Sequence, residues 1–160
     1  MTRRRTRREF LSATAALAAA AGLPAGVHAQ ATRDLRGTEE DMRIAIGAFV
    51  GSKPVTKGRV KLVVPPLVDN GNTVAISVDV DTPMTEADHV KAIRIFSERN
   101  PEPVVLSVRL GPRAGRASVH TRVRLADTQT LVAVAEMSDG TFWSGSAQTV
   151  VTIASCLEDL

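Results

Sequence analysis

The sequence predicts an all-β fold, an antiparallel β-sandwich of about seven strands with one N-terminal helix. Beyond residue 53, apolar residues recur in short β-branched runs with a period of two, which is the pattern of half-buried strands. Clusters of Gly, Pro, Asn and Asp separate these runs. No interval between them contains a second long helical pattern, so parallel βαβ units are disfavoured.

The helix is predicted to begin after Thr38. Thr38 is followed three residues later by Asp41, a spacing similar to that of a capping box, in which two side chains satisfy free N–H groups at a helix start. The apolar residues that follow have helical spacing: Met42, Ala45, Ile46, Phe49 and Val50. One amphipathic helix is therefore expected to end near Gly51.

The seven strands are predicted at residues 59–64, 73–80, 90–96, 104–110, 118–125, 130–137 and 149–154. Turn-forming residues separate them, such as Asn70-Gly71-Asn72 and Asp139-Gly140. Phe142 and Trp143 are interpreted as core or interface anchors, because a small sandwich with few aromatic residues needs them for packing.

The N-terminus is predicted to be a secretory signal. Residues 3–11 read RRRTRREFL, an alanine-rich run follows, and Val27-His28-Ala29 has small residues at the spacing that signal peptidase recognises. Arg7-Arg8 with Phe10 and Leu11 matches the twin-arginine export pattern. A membrane anchor is the alternative, but the apolar stretch is shorter than the roughly 20 residues required. We therefore expect a signal peptide at 1–29 and a periplasmic domain at 30–160, without a membrane segment after cleavage.

The charge distribution argues against a nucleic-acid partner. The chain has 160 residues, 44% of them apolar and 23% charged, which is typical of one soluble domain, and its formal net charge is +3. Five arginines against one glutamate lie within residues 1–29, which leaves 15 basic and 16 acidic residues in the rest. Aromatic residues that could stack on bases are scarce.

No motif in the sequence predicts a metal, a cofactor or a catalytic residue. His89 and His120 do not belong to a known metal-ligand spacing, and no nucleophile elbow accompanies His120 in a Ser-His-Asp arrangement. The carboxylates at 79, 81, 86 and 88 lack the glycine of a calcium loop and are interpreted as a solvated turn. The loop at 111–116 holds two arginines that could receive an oxyanion, although a simple connection is the preferred interpretation.

Cys156 is the informative residue, because it is the only cysteine in a chain expected to be exported. It could be a half-buried small hydrophobic residue that closes the last strand. However, the four residues after it form a tail too short to cover it, which favours a reachable thiol. A reachable thiolate can attack, be conjugated, or pair with another chain.

Three stretches carry a resemblance to a known family. They are KGRVKL from Lys57, NGNTVAISVDVDTPMTEADHVKAIRIFSERNPEPVV from Asn70, and LGPRAGRASVHTRVRLADTQTLVAVAEMSDG from Leu110, with Phe142-Trp143 after them. The chain resembles the SoxY family of periplasmic thiosulfate-oxidation carrier proteins over roughly residues 39–156. The resemblance implies an immunoglobulin-like sandwich, a heterodimer with a SoxZ-like subunit, and transient contacts with sulfur-oxidation enzymes. It also implies that Cys156 carries sulfur intermediates covalently.

The arm around this cysteine differs from the family pattern. The family has Gly-Gly-Cys-Gly-Gly, whereas this chain has Ala154, Ser155, Cys156, Leu157 and Glu158, which resembles a SoxY-related subgroup with an Ala-Ala-Cys-Ile-Glu arm. The side chains make the tether stiffer and wider than glycine would. The expected function is a noncatalytic sulfur carrier without a cofactor. The alternatives are a structural or regulatory subunit in which Cys156 is incidental, and a thiol enzyme that uses His89 or His120 as a base.

Overall fold

The computed structural model describes residues 35–153. They form one α-helix, nine β-strands and one short 3-10 helix. The helix α1 is Glu39–Val50, and the 3-10 helix is Pro112–Ala114. The strands are β1 Val55–Lys57, β2 Val60–Val63, β3 Leu67–Val68, β4 Val74–Val80, β5 Val90–Ser97, β6 Val104–Arg109, β7 Ser118–Val123, β8 Gln129–Met137 and β9 Phe142–Val151.

Helix α1 begins where the capping pattern predicts. The Asp41 N–H donates to Thr38 Oγ1 at 3.2 Å, and the Thr38 N–H donates to Asp41 Oδ2 at 3.0 Å, which completes the capping box. Gly51 ends the helix with φ 65°, in the left-handed region that favours glycine, and its N–H donates to Gly47 O at 2.8 Å. The predicted helix is therefore confirmed at both ends.

The strands form two facing sheets, an immunoglobulin-like sandwich as the sequence predicts. One sheet has the order β1-β9-β8-β5-β6, with β3 also paired to β9, and the other has the order β2-β4-β7. Side chains that alternate along β4, β5 and β8 fill the space between the sheets; they include Val74, Ile76, Val78, Ile93, Ile95, Leu131 and Ala133. Burial of this apolar surface is the main stabilising term of the fold.

The strand count was predicted too low, and one strand was predicted too short. β1 and β3 were missed, because three and two residues are too few for a period to show. Both pair parallel with β9, one at each of its ends, so the sandwich is not wholly antiparallel. β9 begins at Phe142 rather than at Thr149 and ends at Val151.

The chain between β1 and β3 crosses from one sheet to the other and back. It leaves the larger sheet after Lys57, runs as β2 in the smaller sheet, and returns as β3. At the crossing, a Cβ on Gly145 of β9 would lie 2.1 Å from the Val60 carbonyl oxygen, so only glycine fits there. The segment at 55–68 therefore links the two sheets covalently at one corner.

Helix α1 covers part of the outer face of the larger sheet. Met42 and Val50 are buried against Phe96, Val134 and Phe142 in a second apolar cluster. The Phe49 ring meets the Phe142 ring edge to face, with centroids 5.4 Å apart and an interplanar angle of 82°. Phe142 is thus a packing anchor, as predicted. Among residues 35–153, no helix is long and apolar enough to cross a membrane.

Candidate functional site at the end of strand β9

The predicted site residues Ala154, Ser155, Cys156, Leu157 and Glu158 lie outside the described residues, as does the predicted signal peptide. The structure describes the chain up to Ile153, three residues before the cysteine. We call Thr152 and Ile153, which follow β9, the arm root.

Hydrogen bonds hold the arm root to β3 and to the loop after it. The Thr152 N–H donates to Val68 O at 3.0 Å, and its hydroxyl donates to Asp69 O at 3.0 Å. The Ile153 carbonyl accepts the Gly71 N–H at 2.9 Å. The root is therefore fixed to the sandwich through its last described carbonyl.

Gly71 lies at a close backbone approach beside the arm root. A Cβ at this position would lie 2.2 Å from Leu125 O, and the Leu125 N–H donates to Gly71 O at 2.8 Å. The predicted Asn70-Gly71-Asn72 turn thus also joins the arm root to the segment before β8. A side chain at position 71 would separate these backbones.

A buried polar network, which sequence reasoning missed, supports this segment. Asn100 Nδ2 donates to Arg124 O at 2.8 Å, and Asn100 Oδ1 accepts the Ala126 N–H at 2.9 Å. Gln129 Nε2 also donates to Asn100 Oδ1, at 3.2 Å, and Gln129 Oε1 accepts the Ser97 hydroxyl. We call this series of contacts, from Asn100 through Leu125 and Gly71 to the arm root, the Asn100 relay.

The surface beside the arm root is apolar. Leu67 of β3 lies opposite Val150 of β9, and their exposed fractions are 58% and 49%. Ile153 is 61% exposed. Leu67 and Val150 therefore form an exposed apolar pair next to the arm root, which is a candidate contact surface.

The two histidines are apart from the arm root and from each other. His89 Nδ1 lies 3.0 Å from Thr85 O. His120 Nε2 lies 3.2 Å from Ser118 Oγ, and the Ser118 hydroxyl donates to Asp79 Oδ1 at 2.6 Å. The single hydroxyl proton of Ser118 is directed to Asp79 and not to His120 Nε2, unlike the arrangement of a serine nucleophile and its base. This geometry does not support a serine-nucleophile site.

The predicted carboxylate turn is held in part by an arginine. Arg59 Nη2 lies 3.1 Å from Asp88 Oδ2, and Arg59 Nε donates to Asp81 O at 2.8 Å. The guanidinium carbon also lies 5.6 Å from the centroid of the Trp143 ring. Arg59 thus fastens this turn to β9. Within residues 35–153, no three His, Cys, Asp or Glu side chains are grouped so that they could hold a metal ion.

Asp139 lies in the turn before β9. The backbone N–H and then the hydroxyl of Thr141 donate to Asp139 Oδ1, at 2.8 and 2.7 Å. These bonds hold the pKa of Asp139 below its ordinary value, and the positive charge of Arg59 adds to the effect. The ionised carboxylate therefore stabilises the turn.

The predicted loop at 111–116 contains the 3-10 helix, and both of its arginines are exposed there.

Fold and site together define a small immunoglobulin-like sandwich with its single cysteine shortly after an anchored final strand. The family model described as sulfur oxidation protein SoxY matches residues 46–156. The chain therefore belongs to the SoxY family, and the matched segment ends on Cys156. The resemblance seen in the sequence is confirmed at this level.

Solved structures agree with this assignment. The sulfur carrier protein SoxY from Chlorobium limicola f thiosulfatophilum superposes with a TM-score of 0.60 at 29% identity, covering 71% of this chain and 98% of that chain. A superoxide reductase (neelaredoxin) from Ignicoccus hospitalis has a TM-score of 0.53 at 17% identity, covering 59% of this chain and 80% of that one. The second match shows a shared fold alone. No curated protein sequence matches the chain.

Proposed function

We propose that the protein is a noncatalytic carrier of periplasmic sulfur oxidation, which holds a sulfur adduct on Cys156 for partner enzymes. The observation that carries this proposal is the family match that extends to the cysteine itself. The similar structure from Chlorobium limicola is a sulfur carrier by its description. The same class of function for this chain requires only that its thiol be reachable.

The anchored arm root supports presentation of the thiol. A carrier must offer its adduct without unfolding its own sandwich, and hydrogen bonds fix the chain through Ile153. Cys156 is three positions beyond this fixed point, and three steps along an extended chain span at most about 11 Å. The apolar side chains of Leu67, Val150 and Ile153 offer a contact surface for an enzyme at the same place.

The altered arm favours partners with a wider channel than a Gly-Gly-Cys-Gly-Gly arm requires. Ser155, Leu157 and Glu158 replace glycines, so the arm has larger side chains and fewer backbone conformations. Membership in the subgroup with an Ala-Ala-Cys-Ile-Glu arm is part of the same proposal. The negative charge of Glu158 next to Asp159 opposes the approach of anionic adducts.

Formation of the adduct from the Cys156 thiol and thiosulfate is a two-electron oxidation. Joining the Cys156 sulfur to the outer sulfur of thiosulfate forms one S–S bond and releases the thiol proton and two electrons. An electron-accepting partner enzyme must take up those electrons. Tetrathionate provides the same product without that partner, because attack by the thiolate forms the Cys156 S-thiosulfonate and releases thiosulfate.

The test uses the folded chain from residue 30 onward, treated with tetrathionate and followed by intact-mass spectrometry. We expect one adduct per chain, its removal by a thiol reductant, and no adduct on Cys156→Ser. Protein recovered from the periplasm should carry a native sulfur adduct at the same residue. A thiol that reacts only after denaturation, together with native protein that never carries an adduct, would contradict the carrier function.

A SoxZ-like subunit is the proposed stable partner. Co-expression with such a chain from the same genome should give a 1:1 complex by size exclusion with mass determination. The alternative function, a structural subunit in which Cys156 is incidental, predicts the same complex but no sulfur adduct on native protein, even if the thiol reacts with tetrathionate. The mass of protein recovered from the periplasm therefore distinguishes the two.

Export by the twin-arginine route is proposed from Arg7-Arg8. Replacing both residues by lysine should retain the precursor in the cytoplasm, which cell fractionation measures. If the mature form of this double variant were found in the periplasm, the twin-arginine route would be refuted but the carrier function would not.

A further inference from the structure

A small pocket on the outer face of the larger sheet has an excess of positive charge. Its volume is about 400 Å³, and it lies beside the C-terminal half of helix α1. The charged side chains that line it are three cations and one carboxylate: Lys91, Arg94, Arg109 and Glu136. It shares no residue with the arm root, and the carrier function does not use it.

Strand register brings the two arginines together. Arg109 of β6 lies opposite Ala92 of β5, and Arg94 lies opposite Ser107. Arg94 and Arg109 are therefore diagonal neighbours on one face, within reach of one another's long side chains. Ala92 lies between Arg109 and Glu136 of β8 in the same row. Its short side chain leaves the depression that the longer side chains surround.

The other charged side chains of the pocket do not neutralise the positive charges of these two arginines. Lys91 Nζ lies 3.4 Å from Glu136 Oε1, so the one carboxylate already has a cationic partner. The Arg94 guanidinium stacks on the Phe49 ring, with Cζ 4.5 Å from the centroid. Within residues 35–153, neither the Arg94 nor the Arg109 guanidinium forms a hydrogen bond or an ion pair; only their backbones are bonded, in the strand ladders. Their N–H donors are available to a ligand.

We propose that this pocket binds a divalent tetrahedral oxyanion of the size of sulfate, thiosulfate or phosphate. Two guanidinium groups match the double charge, and each offers planar paired donors that suit adjacent oxygens of one anion. The Ser107 hydroxyl, which also lines the pocket, can donate to a third oxygen. The stack on Phe49 orients Arg94 before the ligand arrives, which lowers the entropy lost on binding.

The concave shape favours a small ion over an acidic protein surface, which would need a larger contact area.

The test is a titration of the isotope-labelled folded domain with sodium sulfate, in which amide chemical shifts are measured and sodium chloride at matched ionic strength is the reference. Sulfate should give saturable shifts at Arg94, Ser107 and Arg109, and chloride should not. Thiosulfate and phosphate titrations then distinguish a sulfur oxyanion from a general dianion.

Arg109→Gln removes one guanidinium at an exposed strand position and should weaken sulfate binding about tenfold. Arg122→Gln is the matched control, since Arg122 is an exposed arginine on β7 of the other sheet, and it should leave the affinity unchanged. Ala92→Leu keeps every charge but fills the depression, so it should abolish saturable shifts.

The proposal is overturned if sulfate shifts do not saturate or if Arg109→Gln and Arg122→Gln weaken binding equally. It is also overturned if Ala92→Leu, folded by its amide spectrum, binds as the native chain does. Because none of these variants alters the arm, the tetrathionate reaction of Cys156 should proceed in all of them. Failure of this site and failure of the carrier function are thus separate results.

Discussion

Removing the Asn100 side-chain bonds should destabilise the sandwich and loosen the arm root. Asn100→Leu keeps a similar volume but takes away the acceptor of the Ala126 N–H and the donor to Arg124 O. Asn100 is 7% exposed and Ala126 is fully buried, so water cannot easily replace the bond to the Ala126 N–H, and the bond to Arg124 O is partly buried. An unsatisfied buried group costs about 1–3 kcal/mol, so two groups give about 3 kcal/mol after the added apolar contact offsets part of the loss.

Urea unfolding measures this loss. Trp143, the only tryptophan, lies on β9 and provides the fluorescence signal. With a slope of about 2 kcal/mol/M, a loss of about 3 kcal/mol lowers the midpoint by about 1.5 M. The melting temperature of a domain of this size should fall by about 10 °C.

Asn72→Leu is the matched control, since Asn72 is exposed and its side chain makes no hydrogen bond with another described residue. Its free energy of unfolding should change by less than about 0.5 kcal/mol. Hydrogen exchange should also become faster in Asn100→Leu at the Gly71 N–H, because this group donates a hydrogen bond to Ile153 O in the arm root. If Asn100→Leu unfolds at the native midpoint, or destabilises without faster exchange at Gly71, the Asn100 relay does not support the arm root.

Three further changes test separate features. Thr38→Ala removes the cap of α1 and should lower the free energy of unfolding by about 1 kcal/mol in urea titration; an unchanged midpoint would mean that the capping box contributes nothing. The depressed pKa of Asp139 means that its carboxylate stabilises the fold above its unfolded pKa, near 3.8, and loses this effect as pH falls through the lower folded pKa. The native chain should therefore lose its stability advantage over Asp139→Asn in acid, and a pH-independent difference would refute this. Glu158→Gln with Asp159→Asn should speed modification of Cys156 by an anionic reagent more than by a neutral one, a difference that shrinks in high salt; equal acceleration of the two reagents would mean that these carboxylates do not repel an incoming anion.

Local patterns predicted those parts of the fold that depend on near neighbours. The capping box of α1 lies within four residues, and the alternation in β4 is complete within one strand, so both were predicted correctly. The first half of β9 was missed because it is rich in Ser and Gly; it is a strand because β8 pairs with it from Phe142 to Thr149. Such pairing is a property of the partner strand and not of the local sequence.

The sequence predicts a site residue only where the chemistry of a single side chain identifies it. Cys156 was singled out because it is the only thiol, and it lies outside the described residues. Asn100 precedes a proline, a local pattern typical of a turn, yet its partners are Arg124 and Ala126, more than 20 residues away. The diagonal placement of Arg94 and Arg109 depends on the register of β5 and β6, which the turn between these strands does not reveal.

The pairing of β9 has a mechanical consequence for any force that is applied to the chain beyond this strand. β8 borders one edge of this strand along nearly its whole length, and β3 borders the other edge at the last two residues. The hydrogen bonds of such ladders run across the strands, so a pull along β9 loads them together in shear instead of peeling them one at a time. An enzyme that draws the arm into its own channel would thus meet a stiff support. Tension applied beyond Ile153 should therefore load the whole β8–β9 ladder at once, and the sandwich should resist it more strongly than a ladder that opens from one end.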